Sequence, residues 1–176
     1  MENRKLLNAI ISFGAIIALA VVARLIPHAP NFAPIGALAL FTGYHFKNKL
    51  VWALPVAAMI LSDFVLGFHS TVPFVYGSFI IISIIGSYLK KDKTSLLFGA
   101  SFSSSVIFFL VTNFGVWMMD SIYAKNMSGL VDSYMMGLPF FRNTLVSDLL
   151  YTFSFFYGYR YIAGLVRVKL AFFKSS

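Results

Sequence analysis

Cysteine is absent from the 176 residues, which removes disulfides, thiolate catalysis and thiolate metal sites together. Charge is scarce as well. Acidic and basic residues make up 11% of the chain, against about a quarter in ordinary soluble domains. No GxxxxGK[ST] phosphate loop occurs, so the chain is not expected to hydrolyse a nucleotide itself. HExxH and GxSxG are also missing, and with them the zinc-protease and serine-hydrolase signatures. Strand-type alternation is absent, which argues against an outer-membrane barrel. Asp63, His69 and Ser70 form a loose Asp/His/Ser grouping, but a helix end and a turn are a poor frame for a triad. The chain is therefore not expected to be an enzyme, and no cofactor is expected.

What the chain does have is apolar length: 59% hydrophobic and 18% aromatic residues, with a mean hydropathy of +0.82. A helix needs roughly 20 apolar residues to cross the ~30 Å hydrocarbon core of a bilayer. The runs divide into spans at about 6–26, 32–46, 50–67, 72–89, 95–117 and 139–162, with an outer loop over 118–138 long enough for a lid or a surface helix. The expectation is an all-α integral membrane protein, a six-helix bundle forming a single transmembrane domain over 1–176. The first run is too long for a secretory leader and is read as an uncleaved span. Pro73 opens the fourth helix, with Ser70 or Thr71 placed to cap it. The small residues from Gly99 to Ser105 mark a tightly packed helix interface.

Placing the N-terminus in the cytoplasm puts Arg4, Lys5, Lys47, Lys49, Lys90, Lys91, Lys93, Arg160, Arg167, Lys169 and Lys174 on the inner side. Only Arg24, Lys125 and Arg142 remain of the 14 basic residues for the outer half. This bias predicts both termini inside a bacterial cytoplasmic membrane. It also accounts for the net charge of +8 by anionic lipid headgroups, without nucleic acid.

The same topology gathers polar side chains from five segments on the outer side. Arg24, His28, Asn31, Asp63, His69, Asn113, Arg142, Asn143 and Asp148 are the candidate binding residues; a metal ligand set is not defined. Asp148 lies nine residues past Pro139, about 13 Å along a helix. A carboxylate near mid-membrane needs a partner or a wet cavity. Phe141, Thr144, Ser147, Asp148, Tyr151 and Phe155 fall on one helical face. Structural alternatives stand beside each reading. Asp148 could pair with Arg24 or Arg142, Asp63 and Asn113 sit near helix ends, and a lone histidine often serves a loop. The clustering in the outer half favours a site. The stretch Arg24 to Gly36, with three prolines, is suited to a shaped rim.

The phrases Arg24 to Phe41, Leu61-Ser-Asp-Phe-Val-Leu-Gly-Phe-His69, Val111-Thr-Asn-Phe-Gly-Val-Trp117 and Pro139-Phe-Phe-Arg-Asn-Thr144 resemble an uncharacterised family of small bacterial membrane proteins named as transport proteins. That family in turn resembles the S components of energy-coupling factor vitamin transporters, six-helix proteins with both termini cytoplasmic and an outward ligand pocket. The resemblance implies uptake of a small vitamin-like nutrient by a substrate-binding subunit or solitary carrier. It also implies docking of a transmembrane coupling subunit, with its ATPases, on a small-x-x-x-small patch whose counterpart here is Gly14 and Ala18. Cysteine-dependent corrinoid chemistry is not expected. A corrinoid held by His28 or His69, a smaller heterocycle or a metal ion stays open. The alternative is a non-transporting membrane scaffold resembling the S-component-like proteins of the cell-shape machinery, with a closed core.

Overall fold

The computed structural model describes residues 17–46 and 52–175, which form six helices and, among the described residues, no strand. Helix α1 covers residues 17–25, followed by α2 (Ile35–His45), α3 (Leu54–Leu66), α4 (Val72–Tyr88), α5 (Thr94–Met119) and α6 (Met127–Ser175). Residues 6–16 of the expected first span, including Gly14, lie outside the described residues. Ala18 is exposed on α1.

Local chemistry explains most boundaries. Helices α3 and α4 each carry a proline in the first turn, where a missing N–H costs nothing. Thr71 does stand at the N-cap of α4, but its side chain makes no capping bond. Its hydroxyl is held instead by His69 Nδ1 at 2.8 Å, and Ser70 donates to Asp120 across the same end of the bundle.

The expected loop over 118–138 is largely helix, because α6 begins at Met127 rather than Pro139. Asn126 sets that start. Its side-chain oxygen accepts a 2.9 Å bond from the Gly129 N–H, satisfying one of the free donors of a helix N-terminus. Pro139 then falls inside α6 and removes one helical hydrogen bond, with its own ring on the exposed face. The loop shrinks to 120–126 and is tied down by Trp117 Nε1 donating to the Ala124 carbonyl at 3.0 Å. Lys125 donates to the carbonyls of Trp117 and Asp120.

Helix α2 is the packing centre, touching α3, α4, α5 and α6. Every residue from Ile35 to Leu40 is buried and apolar, as the enclosed half of a helix must be on all its faces. Against α4 the backbones nearly touch. A Cβ on Gly43 would lie 2.0 Å from the Ser83 carbonyl oxygen, and one on Gly86 would lie 2.3 Å from that of Leu40.

The interior holds as many buried polar side chains as apolar ones among the described residues, while Leu, Ile, Val, Phe and Met side chains from α3, α4, α5 and α6 are exposed. The buried hydroxyls are satisfied mainly along their own helices. Thr42 donates to the Leu38 carbonyl at 2.9 Å, Ser62 to Ala58 at 2.9 Å and Ser104 to Ala100 at 2.8 Å, the pattern by which small polar residues avoid an unmet donor. Ser101, Ser104 and Ser105 are buried, and Thr152 of α6 donates to Ser101 at 3.3 Å. The small-residue stretch is thus the α5/α6 interface. Among the described residues one helix, Thr94–Met119, is long and apolar enough to cross a membrane. Leu54–Leu66 and Val72–Tyr88 are shorter apolar helices.

At the other end from the 26–34 loop, Arg160 grips Asp92 with Nε to Oδ2 at 2.7 Å and Nη2 to the Asp92 carbonyl at 3.0 Å. The guanidinium holds the Asp92 carboxyl below its usual range. A depressed folded-state value means that the pair's contribution is complete above the unfolded pKa of about 3.9 and is lost as pH falls through the lower folded value. Exposed pairs contribute little, so the effect is small. The melting difference between wild type and Asp92→Asn should be constant above about pH 5 and shrink in stronger acid. A difference that does not change with pH would rule out the ion pair as its source.

Candidate functional site

The segment from Arg24 to Gly36 is a shaped turn followed by a helix start. Phe32 N–H bonds the Ala29 carbonyl at 2.9 Å, and Asn31 takes a positive φ of 61°. A type II turn requires a left-handed residue at its third position and favours proline at its second, and asparagine is among the few non-glycine residues that adopt that conformation readily. Three residues of α6 then fasten this segment. Asn143 Nδ2 donates to the Pro30 carbonyl at 3.0 Å, and Ser147 Oγ to that of Ala33 at 2.9 Å. Asp148 accepts a hydrogen bond from the Ala37 N–H.

This last contact solves a problem set by the sequence. Pro34 stands at the N-cap of α2 and offers no side-chain cap, which would leave buried N–H groups unpaired. Asp148 supplies the cap from another helix, where the partial positive charge of the helix end favours a carboxylate. Its Oδ2 also accepts from Ser105 at 2.7 Å. Gly36 makes the approach possible, since a Cβ there would sit 2.3 Å from Asp148 Oδ1. Asp148 pairs with neither Arg24 nor Arg142 among the described residues.

Arg24 has a different partner. Its Nη1 lies 2.5 Å from Asp63 Oδ1 and also donates to Ser62, while Tyr76 donates to Asp63 Oδ2 at 2.7 Å. One buried carboxylate thereby joins α1, α3 and α4.

A cavity of about 510 Å³ opens between these two carboxylate centres, lined from all six helices. Of the residues expected from sequence, Arg24, His28, Asn31, His69, Asn113 and Asp148 line it. Asp63 lies behind Arg24, almost without exposure. Asn143 is spent on the rim, and Arg142 is exposed on α6, off the wall and with no hydrogen bond or ion pair among the described residues. Asp63, His69 and Ser70 do not assemble into a catalytic group, since each is bonded elsewhere. No group of three potential metal ligands occurs among the described residues.

The sequence reading missed several wall residues. Thr112 neighbours Asn113, which was singled out, and it adds a hydroxyl to the wall beside that of Thr144, already placed on the polar face of the last helix. Phe79 and Phe108 stack with centroids 5.2 Å apart and line the apolar end with Val75 and Ile82. Among 20 phenylalanines nothing marks these two beforehand. Tyr76 also went unnoticed, because a tyrosine within an apolar helix carries no signal of its carboxylate partner.

The fold and site define a class: an all-α bundle of six helices around a cavity with polar and aromatic walls. The chain belongs to the family described as "Family of unknown function (DUF6580)", whose model matches residues 4–170. No curated protein and no solved structure matches it significantly.

Proposed function

We propose that this protein is a six-span integral membrane protein that captures a small vitamin-like nutrient from the outer face, as a substrate-binding subunit or solitary carrier. The observation that carries the reading is the cavity. Its volume lies within the roughly 300–1,000 Å³ range of small-molecule sites, and its walls mix apolar rings with a few convergent polar groups. The inverted distribution of side chains, with large apolar groups outside and hydroxyls inside, supports a lipid environment, because a surface so apolar would aggregate in water. Both termini in the cytoplasm of a bacterial inner membrane, as the charge bias suggests, would open the cavity outward. Its size favours a compact heterocycle over a corrinoid. Docking of a coupling subunit on the first helix rests on Gly14 and Ala18, of which Ala18 is exposed.

The scaffold alternative calls for a closed core, and the cavity weighs against it. Native mass spectrometry of gently purified protein should reveal a bound small molecule that disappears in Thr112→Trp, a variant that fills the cavity. Arg142→Ala should leave occupancy unchanged, since that side chain is off the wall, whereas Asp148→Ala should lower it at least tenfold. If no molecule is bound, and no water-soluble vitamin raises the melting temperature, the scaffold reading prevails.

A further inference from the structure

Taking the cavity as a small-molecule site, its charge balance narrows the ligand. Four lining side chains can carry charge: Arg24, His28, His69 and Asp148. Arg24 is neutralised by Asp63 at 2.5 Å, so it offers no free cation to an incoming carboxylate or phosphate. His28 Nδ1 is engaged by the Ala29 carbonyl at 2.9 Å and His69 Nδ1 by Thr71 at 2.8 Å, both on exposed residues in the loops at the mouth.

Asp148 differs from all of these. It is buried to 3% exposure, lines the cavity, and has no cationic side chain paired with it among the described residues. Its partners there are a serine hydroxyl and one backbone N–H. The α2 N-terminus offsets only about half a unit charge. A carboxylate has about four lone-pair sites, and these two donors leave acceptor capacity for a further one. The neighbouring wall is apolar and aromatic, with Phe79, Phe108, Val75 and Ile82, while Asn113 and Thr112 contribute neutral polar contacts.

We propose that the pocket selects a compact ligand with a flat apolar body and a cationic nitrogen, whose N–H group is received by Asp148 while the body packs against the Phe79 and Phe108 end. A charge-assisted bond to a carboxylate is about twice as strong as a neutral one. An anionic ligand would meet an uncompensated carboxylate and no free cation. The inference rests on the small-molecule reading of the cavity and adds the sign of the ligand's charge.

Three probes of nearly equal shape separate the possibilities: benzamidine, a cation; benzamide, neutral; and benzoate, an anion. Each is titrated into the purified full chain in an uncharged detergent, with ligand-observed saturation-transfer NMR as the readout. Benzamidine should bind at least tenfold tighter than benzamide, with benzoate weakest. Asp148→Asn should erase the preference of benzamidine over benzamide. Asn113→Ala, which removes a neutral wall group, should weaken the probes without changing their order. Equal affinities, or benzoate binding best, would overturn the charge assignment and leave the small-molecule pocket standing. So would a preference for benzamidine that survives in Asp148→Asn. No binding by any of the three would count against the pocket itself as well as its charge. The wild-type series decides the sign of the charge even if Asp148→Asn fails to fold.

Discussion

Arg24→Ala is expected to lower the unfolding free energy by about 3–5 kcal/mol, the cost of leaving a buried charge without its partner. Asp63 is 1% exposed, and once the guanidinium is gone its remaining side-chain partner is the Tyr76 hydroxyl. The loss should belong to the pair and not to either residue alone. Replacing both partners with apolar residues, Arg24→Met with Asp63→Leu, should recover most of it. Tyr76→Phe should cost only about 1.5–3 kcal/mol, the range for a hydrogen bond to a charged group. A double-mutant cycle on unfolding in mixed micelles reads the coupling directly. Additive losses in the cycle would show that Arg24 and Asp63 act independently. The pair's significance for the site is positional, because it fixes the end of α1 against α3 and holds Arg24 at the cavity wall.

The second large effect lies at the seam between α2 and α4. Gly43→Ala and Gly86→Ala each place a methyl group against a backbone carbonyl, at 2.0 Å and 2.3 Å in the present geometry, and backbone cannot swing aside as a side chain can. Overpacking of this kind costs typically 1–3 kcal/mol and more when helices must separate. Gly77→Ala and Gly99→Ala provide the controls, since nothing lies within 4 Å of a Cβ at either position. These two should be neutral or stabilise by up to about 1 kcal/mol, the difference in helix propensity. Thermal unfolding of the four variants distinguishes the cases. Equal behaviour in all four would mean that α2 and α4 are not in close backbone contact. Because α2 carries the N-terminus that Asp148 caps, loosening this seam should also disturb the cavity.

Some of this architecture was legible in the sequence. Apolar runs bounded by lysine clusters or proline marked α3, α4 and α5 to within a few residues, because hydropathy and helix punctuation are local properties. The unusual character of the Arg24 to Gly36 stretch was also visible, and it forms part of the cavity wall. Pro139 misled for a local reason. Proline commonly opens a helix, and the stronger start signal, Asn126 bonded to the Gly129 N–H, is a common residue in an unremarkable context.

By itself the sequence determined the helical class and the set of polar side chains available for a site. It did so because composition and periodicity depend on neighbours within one or two turns. Which carboxylate meets which partner was decided only by the tertiary structure. Asp63 takes Arg24, 39 residues away, and Asp148 takes Ser105, 43 residues away. Those choices depend on the approach of backbones at Gly36, Gly43 and Gly86, and on the uncapped start of α2. The result separates two acidic residues that look alike in the sequence: Asp63 is neutralised within the wall, and Asp148 faces the cavity.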